Sequence, residues 1–240
     1  MSKQVVEPLL LPRGAEAVDD DPLVAGPYQA IRLQDHSRWR PEWHRDRTFL
    51  WWYLTFDDQP ELRGLTSAIQ RALRHVDCLD ALPVDWLHLT LHDVGFVDEV
   101  PPEQIGPLVL AATRALGDLR PLELVLSEPS TMQDALVLRV EPLDELSRLR
   151  DALYTAAAGL APSLSGTSPE VDEFWPHVSL AYVNRECEAQ ELLSQLPAHV
   201  AVGGSRLTVR AVTLAAVNRV GRGYQWTPAA TIPLGTTADT

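Results

Sequence analysis

From residue 48 to residue 234 the chain alternates between two hydrophobic periods. Thr48 to Phe56 reads T-F-L-W-W-Y-L-T-F, aromatic and β-branched and too short for a typical helix, so it predicts a strand. From Pro60 to about Val76, Leu62, Leu65, Ile69, Leu73 and Val76 recur at spacings of three and four, the apolar face of a proline-led helix. A strand over Trp86 to Val94 follows, then a second helix opened by Pro101-Pro102-Glu103 with Ile105, Leu108, Val109, Ala112 and Leu116 on one face. Leu122 to Leu126 and Ala135 to Val140 read as strands joined through the turn-rich Glu128-Pro129-Ser130, and a helix follows from Leu143 to about Gly159. A loop at 161–170 leads to a strand at about His177 to Val183, a short helix over Cys187 to Leu196, and two or three closing strands, over Arg206 to Val217, with or without a bend, and Tyr224 to Leu234. Strand-helix-strand-helix thus occurs twice, which predicts two α+β lobes, although the order alone also fits an open α/β sheet.

Residues 1–46 carry five prolines and the acidic run Asp19-Asp20-Asp21 without sustained periodicity, and read as an irregular N-terminal arm. Residues 235–240 form a tail. A chain of 240 residues with 45% hydrophobic content has ample material for a packed core, which excludes a disordered or fibrous protein. Asp and Glu number 33 against 20 Lys and Arg, a net charge of −13 that disfavours long duplex nucleic acid or a membrane surface as partner. Two cysteines, Cys78 and Cys187, in no C-x-x-C arrangement, build neither a disulfide framework nor a zinc knuckle, and reduced thiols are expected. No span of about 20 apolar residues is present, so a cytoplasmic protein is expected.

The chemistry lies in a near-repeat, Trp86-Leu87-His88-Leu89-Thr90-Leu91 and Trp175-Pro176-His177-Val178-Ser179-Leu180. Strand alternation puts Trp86, His88 and Thr90 on one face and the leucines on the other, and gives Trp175, His177 and Ser179 the same parity. An imidazole beside a hydroxyl is a poor core pair, so both strands read as walls of a site. Two facing histidines supply a base and an acid for one displacement, and adjacent hydroxyls can donate to phosphoryl oxygens in its transition state.

H-L-T-L at 88–91 and H-V-S-L at 177–180 resemble the paired H-x-[TS]-hydrophobic motifs of the 2H phosphoesterase superfamily, which includes 2′-5′ RNA ligase-like proteins and cyclic phosphodiesterases. The resemblance covers about residues 47–234. It implies a duplicated, two-lobed 2H phosphoesterase fold of class α+β, with antiparallel-rich sheets, helices outside and a central cleft. The lobes are expected at about 47–125 and 135–234, with strands free to exchange between them. It also implies metal-independent opening of a 2′,3′-cyclic or related phosphate, or cleavage or joining of a 2′-5′ phosphodiester of a nucleotide or RNA end, without a cofactor. His88 and His177 become the acid/base pair, Thr90 and Ser179 the phosphate-binding hydroxyls. A catalytically silent module that holds a nucleotide or RNA end in the same cleft is the alternative.

Other positions extend this reading. Residues 192–238 contain no Asp or Glu but carry Arg206, Arg210, Arg219 and Arg222, and Arg206 and Arg210 share strand parity, which makes them candidates for phosphate contact. Trp86 and Trp175 are candidates for base stacking. Arg32, Arg38, Arg40, Arg45 and Arg47, interleaved with Trp39 and Trp43, offer a lid, against the plainer reading of an arm packing its tryptophans. Strand parity adds His92 to the face of His88, raising a zinc set of His88, His92 and His177. No H-E-x-x-H, Cys-rich set or carboxylate pattern supports it, and no metal is expected. His36 is expected on the surface or in a loop. A monomer acting on a small nucleotide or RNA-end substrate is the resulting expectation.

Overall fold

A computed structural model describes residues 28–37, 47–160, 164, 166, 173–196 and 205–235. In chain order the elements are β1 (Arg32–Leu33), β2 (Thr48–Thr55), α1 (Pro60–Ala72), β3 (Leu79–Ala81), β4 (His88–Phe96), α2 (Pro102–Leu116), β5 (Leu122–Met132), β6 (Ala135–Glu141), α3 (Leu143–Ala158), β7 (His177–Val183), β8 (Cys187–Glu188), α4 (Ala189–Leu193), β9 (Ser205–Val209), β10 (Ala211–Val220) and β11 (Gly223–Pro233). Two antiparallel sheets dominate, one ordered β11-β10-β2-β4 and the other β3-β7-β6-β5-β9, with β1 and β8 forming a small third. Each large sheet takes strands from both halves of the sequence. β10 and β11 extend the sheet beside β2, and β3 lies beside β7.

The helices cover the outer faces. α1 packs on β7 and β9, whereas α2 and α3 pack on each other and over β11 and β4. Alternation drives this arrangement: Leu50, Trp52 and Leu54 of β2, Leu87, Leu89 and Leu91 along β4, and Leu136, Leu138 and Val140 of β6 all enter one buried cluster with Leu62, Ile69, Leu108, Leu146 and Leu153 of the helices. The opposite faces of the sheets carry the aromatic and polar residues that look into the cleft.

Three local features differ from the sequence expectation. β5 does not end at Leu126 but runs to Met132, because a bulge absorbs Ser127 and Glu128, and the Ser127 hydroxyl accepts the Arg139 backbone N–H at 2.8 Å. Pro129 is tolerated because β9 pairs only with Leu122–Leu126, so Pro129 lies on a stretch of the outer edge of β5 that β9 does not reach. The hairpin turn is therefore at Gln133 and Asp134. Cys187 and Glu188 form a strand rather than opening the helix. Residues 28–37, expected as irregular arm, dock along this hairpin and the end of β7: Ala30 N–H donates to Thr131 O, Gln34 N–H to Gln133 O, and His36 N–H to Val183 O of β7. Residues 1–27 and 38–46, with Arg38, Trp39, Arg40, Trp43 and Arg45, lie outside the described residues. No helix among the described residues is long and apolar enough to cross a membrane.

Candidate functional site

Between the large sheets lies an open cavity of about 170 Å³, lined by His36, Trp51, Tyr53, His88, Thr90, Asp134, Ala135, His177, Ser179, Tyr182 and Tyr224. His88 and Thr90 enter from β4, and His177 and Ser179 from β7, so the two H-x-[TS] segments meet across it. Leu89 and Leu91, and Val178 and Leu180, are buried in the core behind them and anchor each strand.

The two imidazoles are held in the same way. His88 Nδ1 lies 2.8 Å from Trp86 O, and His177 Nδ1 lies 2.7 Å from Trp175 O. A carbonyl oxygen only accepts, so each Nδ1 carries the proton and each Nε2 keeps its lone pair available. Trp86 O also accepts from Trp226 Nε1 at 3.2 Å, and the Tyr53 ring stacks on His88 with centroids 4.1 Å apart. Burial pushes His88 down from 6.5 to about 4, and repulsion from His177 adds to this while the Trp86 bond opposes it. Burial also lowers His177, but there the Trp175 bond and the Asp134 carboxylate oppose the shift and His36 adds to it. Thr90 hydrogen-bonds Tyr53, whose phenol burial holds in its neutral form.

The tryptophans of the repeat differ in setting. Trp86 sits in a single 3₁₀ turn, Val84–Trp86, before the strand, and packs against the cluster of Phe49, Tyr53, Phe96 and Trp226. Trp175 precedes β7, is 38% exposed, and meets Tyr28 edge-on at 5.8 Å; Tyr28 in turn donates to Pro176 O. Arg206 and Arg210 do not line the cavity. Parity does put Arg206 on the face of β9 continuous with the cleft, opposite Val125, but three strand spacings, roughly 14 Å, separate β9 from β7. Arg210 is exposed between β9 and β10. Arg32 pairs with Glu188, and Arg47 with Asp98 and Glu99 over the Phe96 ring. Arg222 bonds Asp35 and Asp80, and Arg219 donates to Ser37 O.

His92 corrects the parity argument. A bulge at Leu91 makes Tyr53 oppose Thr90 while the next residue of β2, Trp52, opposes His92. His92 therefore turns to the helix side, buried and edge-on to Tyr154 of α3 at 5.6 Å, and does not converge with His88 and His177. The same device acts in β7: the register slips at Leu180, so Tyr182 joins Ser179 on the cleft face although their separation is odd. The bulged Leu180 carbonyl is not orphaned, because it accepts from Leu82 N–H and Gln70 Nε2. Among the described residues no cluster of three or more His, Cys, Asp or Glu is arranged to hold a metal ion.

Sequence reasoning missed His36, Asp134, Tyr53, Tyr182 and Trp51 as lining residues, whereas Tyr224 is an aromatic the sequence offers for either base stacking or core packing. His36 lay in the supposed arm, and only the hairpin turn at Asp134 brings a partner to it.

The fold built around this cleft is shared with solved structures. They include TT0787 of Thermus thermophilus, 19% identical, with a TM-score of 0.59 over 78% of this chain and 99% of that one. They also include E. coli LigT complexed with 3′-AMP, 20% identical, with a TM-score of 0.57 over 80% and 100%. The complex of E. coli LigT with ATP is 18% identical, with a TM-score of 0.56 over 80% and 100%. No curated protein matches the sequence. The family model of the 2′-5′ RNA ligase superfamily matches residues 56–221, a span that includes both H-x-[TS] segments and most of the strands lining the cleft, and the chain belongs to that superfamily.

Proposed function

We propose that the protein is a phosphoesterase that opens a 2′,3′-cyclic or related cyclic phosphate, or cleaves or joins a 2′-5′ phosphodiester, at a nucleotide or RNA end. His88, His177, Thr90 and Ser179 carry the reaction. The supporting observation is the matched pair of Nδ1–H bonds to the backbone two residues upstream, which leaves two Nε2 atoms to serve one cavity. In hydrolysis, one Nε2 takes a proton from the attacking water as its oxygen bonds to phosphorus. The other Nε2–H gives its proton to the departing oxygen as that P–O bond breaks. The histidines end with exchanged protonation and reset through solvent. Thr90 and Ser179 donate to the non-bridging oxygens, where charge is greatest in the transition state.

Roles follow from the surroundings. His88, driven neutral by burial, is the base; His177, near the Asp134 carboxylate, is the acid. Such a mechanism uses proton transfer and positioned donors, so a chelator should not change the rate. The test is turnover of 2′,3′-cyclic nucleotides in excess EDTA by wild type, His88→Ala and His177→Ala. Each substitution should lower kcat by about 10²–10⁴-fold. On a p-nitrophenyl phosphodiester, whose leaving group needs little protonation, His177→Ala should recover much more of its loss than His88→Ala. Undiminished activity in both variants overturns the mechanism. Nucleotide binding without turnover on any substrate would make the cleft a binding module.

A further inference from the structure

Arg139, opposite His177 in the β6–β7 pair, is bonded to Glu141 and does not line the cavity. Among the described residues lining the cavity there is no Lys or Arg, and both proposed catalytic histidines are driven toward their neutral forms. One other basic group lines the cavity, His36. Its Nδ1 lies 2.8 Å from Asp134 Oδ2, and its ring stacks on Tyr182 with centroids 3.7 Å apart and planes 5° from parallel. The far nitrogen, Nε2, is buried and has no hydrogen-bond partner. A buried unpaired nitrogen is costly, which marks the atom as one that a ligand would satisfy.

The surrounding contacts hold this residue in place from several directions. Its backbone N–H donates to Val183 O. The residue before it, Asp35, is bound by Arg222, and the carbonyl of the residue after it, Ser37, by Arg219. Tyr224 closes on the ring edge-on at 5.5 Å, and the Asp134 carboxylate, His177 and the Arg222–Asp35 pair are the charged or titratable groups around it. The Asp134 carboxylate only accepts, so Nδ1 carries a proton, and a ring that also carries one on Nε2 is a cationic donor there.

We propose that His36, held by Asp134 and Tyr182, is a third histidine of the cleft that contacts substrate, presenting Nε2–H to an anionic oxygen of the bound phosphate. It is a binding and specificity residue rather than a proton carrier in the displacement, and it selects ligands whose phosphate bears an unshielded negative charge on the β7 side of the cleft. The inference rests on the reading of the cleft as a phosphate site, but not on turnover.

The experiment is a titration of the full chain, with ¹⁵N-labelled histidine, by inorganic phosphate. The His36 Nε2 resonance should move saturably as phosphate is added. His36→Asn should weaken phosphate binding about tenfold, the scale of one charge-assisted hydrogen bond, and Asp134→Asn by less. On a cyclic nucleotide the His36→Asn loss should fall mainly on KM, whereas His88→Ala and His177→Ala act on kcat. A resonance that phosphate leaves unmoved overturns the proposal even if the variant fails to fold, and so does wild-type affinity in a folded His36→Asn protein. Turnover with either of those results would sink this inference alone; a phosphate-responsive His36 without turnover would sink the proposed chemistry alone.

Discussion

An imidazole removed from water loses its proton readily, and for His88 this has a consequence for stability as well as for chemistry. In the unfolded chain it titrates near 6.5 and in the fold near 4, with burial as the main cause. Between those values the unfolded state holds the proton and the folded state does not, so acid favours unfolding. The stabilising difference is complete above about pH 6.5 and is lost as the pH falls toward 4. His177, lowered for the same reason, acts in the same sense. His88→Asn, which cannot titrate, should therefore lose less Tm than wild type between pH 7 and pH 4.5. Thermal unfolding of both proteins across that range is the measurement, and parallel curves would show that His88 protonates in the fold as easily as outside it.

At the scale of elements, single side chains tie distant segments together. Arg222, in the turn between β10 and β11, reaches Asp35 before the His36 ring, Asp80 of β3, and the Asn184 carbonyl after β7. All of these are partly exposed, so Arg222→Ala should cost only about 1 kcal/mol of global stability. Its specific effect is local: amide exchange at residues 34–37 should accelerate, and more so at high salt in wild type, while exchange in β6 stays unchanged. Equal protection in the variant would remove Arg222 as the tether. The same scale decides what the sequence could tell. α1 to α3, β2, β4 and β7 were legible because their patterns are local, and so was the pairing of His88 with Thr90 and His177 with Ser179. Bulges are not local. Nothing in L-T-L-H-D announces that Leu91 will be absorbed and His92 turned to α3, and nothing in S-L-A-Y places Tyr182 beside Ser179. Both depend on the partner strand, as does the continuation of β5 through Pro129. Likewise, the shared parity of Arg206 and Arg210 is local, whereas the end of β9 before Arg210, the face Arg206 takes and its distance from His177 depend on register and strand order.

For the whole molecule the governing fact is that the last strands of the chain complete the sheet begun by the first. β10 pairs with β2 from Thr213 to Asn218 and with β11 along its full length. β11 brings Tyr224 to the cavity wall and Trp226 to the carbonyl that also holds His88, and it lies under α2. The family match ends at residue 221, before β11 begins, yet the site is assembled partly from β11. A chain ending at residue 221 would leave β10 as a ten-residue edge, with Val212 stripped of its cross-strand neighbour Ile232 and the core cluster of Ile232 and Leu234. Burying a Leu or Ile is worth about 1.5–3 kcal/mol each, and the ordering of both sheets is shared, so the loss cannot stay at one edge. Such a chain should fail to unfold cooperatively and should self-associate through β10, read by calorimetry and size-exclusion chromatography. Trp226→Phe in the full chain separates folding from site-building. It keeps an aromatic ring near Tyr53 and removes the Nε1–H and one ring of the indole, so it should fold cooperatively with a loss of about 1–3 kcal/mol. If the shortened chain were monomeric and cooperative, β11 would be a cover on a self-sufficient sheet rather than a structural strand of it.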